Sequence, residues 1–123
     1  MPKKYNEILI MMRECWACDT VQEFIEKEGL PVRCVMGYQI MNNRLPNPCT
    51  GMFNLKDETG RWITNGMRQR VTIGPFATMP VLWTPPYGPG SFLEDLDRIK
   101  AYLAAKYEIK NSNILVAKSM AGV

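Results

Sequence analysis

The chain has 123 residues, 46% of them apolar, with four cysteines, no histidine and a formal charge of +3. That length supports one domain with a real core, spanning 1–123, and excludes two. The charge is too mild to imply nucleic acid, and no apolar run reaches the length of a membrane-spanning helix.

In chain order, Met-Pro-Lys-Lys opens a basic start without the apolar segment of a signal peptide. The expected compartment is therefore a reducing cytoplasm, where structural disulfides are rare. Ile8, Leu9, Ile10, Met11 and Met12 form a continuous apolar run, which predicts a strand covered on both faces. After Cys15-Trp16-Ala17-Cys18, residues Val21, Phe24 and Ile25 recur at helical spacing. Gly29, with Pro31 just beyond, ends that helix. Val32–Met41 suits a second strand, parallel to the first through a short crossover. Residues 42–52 are dense in Asn, Pro and Gly and read as a loop.

Asn54–Arg70 admits two readings. Asp57-Glu58-Thr59-Gly60 suits a hairpin turn, whereas Asn54 would cap a helix carrying Leu55, Trp62 and Ile63. Val71–Gly74 reads as a loop and Met79–Trp83 as a third strand entered at Pro80. A turn follows at Thr84–Gly90. Phe92, Leu96, Ile99 and Leu103 mark one face of a helix of about four turns, capped by Ser91. Residues 109–123 form an extension that adds a strand or a partner-contacting tail.

The chemistry points to Cys15 and Cys18, which this reading places at a strand-to-helix junction. Backbone N–H groups at a helix start have no intrahelical partner, and the macrodipole puts partial positive charge there. A Cys15 thiolate is stabilised in that position, and its ionisation falls below that of a free thiol. Cys18 lies one turn on, on the same face, and resolves a mixed disulfide formed at Cys15. Arg13 assists the thiolate or is simply solvated, and Glu14 opposes it. Trp16 packs or shapes the partner-docking surface. Haem attachment is excluded, because no histidine follows the second cysteine.

Strand–Cys15-Trp16-Ala17-Cys18-Asp19–helix–strand, with Thr78-Met79-Pro80 later and Gly90-Ser91-Phe92 beyond, resembles the glutaredoxins, especially the small phage-encoded kind. The match runs over roughly residues 5–108. The dipeptide Trp16-Ala17 departs from the pairs common in that family. The resemblance implies an α/β, thioredoxin-like fold: a central mixed sheet of three or four strands flanked by helices. It also favours a short, irregular helix within 54–70. It implies a cis Pro80 facing the cysteines, a Met79 backbone that pairs with substrate, and a glutathione carboxylate seat at Ser91 and Phe92. The implied activity is thiol–disulfide exchange in the cytoplasm, or host cytoplasm for a phage protein. The monomer would need no resident cofactor or metal. Glutathione serves as reductant, and a disulfide-forming enzyme such as ribonucleotide reductase serves as partner, with neither nucleic acid nor membrane involved.

Three other readings stand beside this one. Cys15 and Cys18 are also a zinc half-site, with Cys34 and Cys49 as the remaining thiolates. The chain is alternatively a non-catalytic binding module. Thr20–Gly29 would belong to a helix-turn-helix in a nucleic-acid regulator. Arg61, Arg68 and Arg70 read as a solvated basic face without an aromatic stripe.

Overall fold

The apolar run before the cysteines becomes the central strand of one sheet in the computed structural model, which describes residues 4–40 and 51–109. The elements are β1 (Glu7–Met11), α1 (Trp16–Glu28), β2 (Val32–Gln39), β3 (Gly51–Lys56), β4 (Thr72–Phe76), β5 (Val81–Trp83), β6 (Phe92–Glu94) and α2 (Leu96–Lys106). Six strands pair in the order β4-β3-β2-β1-β5-β6. β1 and β2 run parallel, as a crossover through α1 requires, and every other pairing is antiparallel. α1 ends as its sequence indicates: Gly29 takes a left-handed φ of 63° and its N–H bonds back to the helix.

The sheet curls until its edges approach. Phe76 at the end of β4 meets Phe92 of β6 edge-on, with ring centroids 4.9 Å apart. Glu94 of β6 accepts from the N–H groups of Ala77 and Thr78. The result is a nearly closed, barrel-like sheet, and α1 and α2 touch each other. Leu9, Ile10, Phe53, Leu55, Val81, Leu82, Ile99 and Leu103 are fully buried and form its core. This overturns the thioredoxin-like arrangement, a sheet of three or four strands flanked by helices.

The correction comes from two places. Residues 54–70 hold no helix. The Asp57 carboxylate accepts from the N–H groups of Thr59 (2.9 Å) and Arg61 (3.0 Å), with Gly60 at φ 83°. A side chain that satisfies its own backbone in this way builds a turn. Asn65 repeats the device, accepting from Met67 and Gln69 N–H. Each turn is closed by a bridge, Lys56 to Trp62 across the first and Thr64 to Arg70 across the second. The hairpin reading at Asp57–Gly60 therefore holds, and Asn54 accepts from Thr72 Oγ1 across β3 and β4 instead of capping a helix. The expected loop at Val71–Gly74 lies largely within β4.

The second correction concerns Phe92. Its helical spacing to Leu96 is coincidental: Phe92, Leu93 and Glu94 pair with Trp83, Leu82 and Val81. Phe92 stacks on Trp83 with centroids 4.8 Å apart. Burial of aromatic surface and strand pairing outweigh a weak helical preference there. α2 starts at Leu96 with Asp95 as its N-cap, so Ser91 caps nothing.

One buried charge ties the ends of the fold together. Glu7 is fully buried on β1, and its carboxylate accepts from Tyr107 Oη (2.6 Å), Tyr102 Oη (3.3 Å) and Lys106 Nζ. A buried carboxylate stands only with such partners. Among the described residues no helix is long and apolar enough to cross a membrane. The loop expected over 42–52 fails at its end, where Gly51 and Met52 open β3; the readings of 42–50, of Cys49 and of the extension past Ile109 lie outside the described residues.

Candidate functional site

β1 delivers the chain to Cys15 at one end of the sheet, and Cys15 is the N-cap of α1 with extended backbone (φ −120°, ψ 105°). Its Sγ accepts a hydrogen bond from the Cys18 N–H at 3.2 Å. That donor is one of the helix-start N–H groups left without an intrahelical partner. Sulfur here does what a capping serine or aspartate oxygen does elsewhere. The Cys15 and Cys18 sulfurs stand at disulfide distance, with their Cα atoms 5.2 Å apart. Cys15 is half-buried and Cys18 has no exposed surface, so Cys15 is the more accessible of the two.

Trp16 projects between them, 75% exposed. The core does not use it, so packing does not account for it. Arg13 and Glu14 are exposed on the approach to Cys15, Glu14 at a positive φ of 53°. Neither makes an ion pair among the described residues.

The other wall of the site is the 77–80 loop. Met79 and Pro80 are buried, the bond between them is cis, and the Met79 carbonyl oxygen lies 4.0 Å from Cys15 Sγ. Among the described residues the Met79 N–H and C=O make no backbone–backbone hydrogen bond. Cys15, Cys18, Trp16, Met79 and Pro80 are thus brought together at one end of β1 and β5.

Ser91 and Phe92 serve differently from expectation. Ser91 closes the turn after β5: its carbonyl accepts from Thr84 N–H and Thr84 Oγ1. Phe92 belongs to the aromatic stack described above, and no helix starts at either residue. Glu94 and Glu7 are the residues that sequence reasoning missed. Glu94 sat in what read as a helical turn, and a single Glu before an apolar run announces no partner a hundred residues away.

Cys34 lies half-buried on β2, and burial pushes its thiol up to about 11, with Glu26 and Glu58 adding to the effect. It opens onto a groove of about 330 Å³ between α1 and the β2–β3 pair, lined also by Gln22, Tyr38 and Lys56. Among the described residues no three His, Cys, Asp or Glu side chains gather as metal ligands. α1 is a single unbroken helix followed by a strand, so Thr20–Gly29 is not part of a helix-turn-helix. Arg61, Arg68 and Arg70 are exposed, but Trp62 and Tyr38 do accompany them. Trp62 is already covered by Arg70 at 4.1 Å and Lys56 at 4.6 Å, so this patch closes largely on itself.

Comparison with known proteins finds no matching family model, no similar curated protein and no similar solved structure.

Proposed function

We propose that the protein is a thiol–disulfide oxidoreductase working by glutaredoxin-type chemistry at Cys15 and Cys18. The observation that carries this reading is the asymmetric pair: a half-buried Cys15 whose sulfur accepts from a helix-start N–H, with a fully buried Cys18 one turn on. In the reduced protein the same N–H and dipole act on a thiolate.

The Cys15 thiolate attacks one sulfur of a substrate disulfide, forming a mixed disulfide and expelling the other sulfur as a thiolate. Cys18, deprotonated, attacks Cys15 Sγ, forms the internal disulfide and expels the second substrate thiolate. Two electrons pass to the substrate, and the two thiol protons end on its sulfurs. Two glutathione molecules reset the pair: the first opens the disulfide at Cys15, and the second displaces it as oxidised glutathione. Trp16 and the open Met79 backbone receive the substrate chain, and Arg13 adds positive charge for glutathione. The physiological partner class is a disulfide-forming enzyme such as ribonucleotide reductase, a step that rests on the glutaredoxin resemblance alone.

The test is a redox titration of the Cys15–Cys18 pair against glutathione, with turnover of a glutathionylated peptide. Cys15→Ser should abolish turnover and Cys18→Ser should trap the mixed disulfide. Turnover that survives Cys15→Ser, or reduced protein carrying stoichiometric zinc on this pair, overturns the reading.

A further inference from the structure

Glu94 has no role in the chemistry above, yet it reaches the loop that forms half the site. One carboxylate oxygen accepts from Ala77 N–H at 2.9 Å and from Thr78 N–H at 3.3 Å. These are the two amides immediately before Met79, whose carbonyl oxygen stands 4.0 Å from Cys15 Sγ. Glu94 is itself held: it lies on β6 in register with Val81, one residue past Pro80. A carboxylate fixed to the sheet therefore grips the loop on one side while β5 grips it on the other.

Charge-assisted hydrogen bonds of this kind are among the stronger ones available to a loop. Without them Ala77 and Thr78, both exposed, keep only water as partners for their N–H groups. We infer that Glu94 is a positioning residue: its bonds to Ala77 and Thr78 hold the open Met79 backbone edge against Cys15 and so give the site its preference for polypeptide disulfides over small ones. A polypeptide substrate pairs with that edge, whereas a small disulfide needs only the Cys15 sulfur. This inference rests on the oxidoreductase reading.

The experiment compares the full chain on two substrates, a disulfide-bonded peptide and bis(2-hydroxyethyl) disulfide. For Glu94→Ala the expected result is about a tenfold loss of kcat/KM on the peptide, carried by KM. The small disulfide should change by less than about twofold. Glu94→Gln keeps an oxygen acceptor at the same reach and should restore most of the peptide activity. Glu94→Asp keeps the charge but withdraws the oxygen, and should behave like the alanine variant, which separates position from charge. Should Glu94→Ala fold poorly, the Gln and Asp pair carries the same comparison.

Equal losses on both substrates, or a Gln variant no better than Asp, overturn the positioning role while leaving the oxidoreductase intact. Wild-type protein that reduces neither substrate overturns the oxidoreductase reading itself.

Discussion

The ionisation of Cys15 in the reduced protein can be worked from its surroundings. A hydrogen bond to a charged acceptor contributes about 1.5–3 kcal/mol, and the Cys18 N–H is placed to make one. The start of α1 adds about 0.3–1 kcal/mol. Against these stand Glu14 just before the sulfur and Asp19 in the first turn. A carboxylate about 6–8 Å from a thiolate in largely aqueous surroundings opposes it by about 0.5–0.7 kcal/mol. The balance favours the thiolate by roughly 1.5 kcal/mol, close to a tenfold change in ionised fraction. The assay is the ultraviolet absorbance of the thiolate across a pH series, in the Cys18→Ser variant, which keeps the donor N–H and removes the second thiol. At pH 7 the thiolate fraction should be about ten times that of free cysteine. Alkylation should be only about threefold faster, because a more acidic thiol is a weaker nucleophile. Glu14→Gln should raise the thiolate fraction a further two- to threefold. A Cys15 that ionises like free cysteine would refute the capping role on which the site depends.

Two further outcomes follow from buried groups. Glu7→Gln should destabilise the fold by roughly 1–3 kcal/mol in urea unfolding, since charged hydrogen bonds are weakened at a site without solvent. Lys106 is held above its ordinary 10.5 by its bond to Glu7, and Tyr107 above 10.0 by burial and then Glu7. Their contribution is therefore full below pH about 10 and is lost as pH rises through the folded values. That alkaline loss should shrink in Glu7→Gln, and an unchanged loss would count against the cluster. Cys34, pushed from 9.0 to about 11 by burial, should react with a thiol reagent at pH 8 far more slowly than reduced Cys15. Its stabilising share disappears between pH 9 and 11. Equal labelling of the two cysteines would show that β2 does not shield Cys34.

The β1–α1–β2 unit was legible because its signals are local. A five-residue apolar run, a helical stripe at Val21 and Ile25, and a glycine at the C-cap all lie within one short stretch. Residues 51–76 were not, because their strands are specified by distant partners. Phe53 is buried against Ile73 and Phe76 once β3 and β4 pair, yet the intervening Lys, Arg and Thr residues suit a helix surface as well as a strand's outer face. Phe92 shows the same limit from the other side. Its spacing to Leu96 and Ile99 satisfies a helical pattern, and only Trp83, brought alongside by the β5–β6 turn, decides for a strand. Glu7 reads as an ordinary charge at a strand start until Tyr107, a hundred residues later, docks on it.

The strands that the sequence concealed are the ones that build the second wall of the site. β4 ends at Phe76 and feeds directly into Ala77–Pro80, and β6 supplies the carboxylate that holds Ala77 and Thr78. A sheet ending at β2 would still present Cys15 at the start of α1, with its N–H and its dipole. It would have no edge strand to aim Met79 at that sulfur. The curl brings Phe76, at the end of β4, onto Phe92, and Met79, three residues on, lies beside Cys15. On the proposed reading, reactivity at Cys15 would be set by the local cap, and selection of what reaches it by long-range pairing. Substitutions in the aromatic contact between β4 and β6 should therefore alter substrate preference before they alter the ionisation of Cys15.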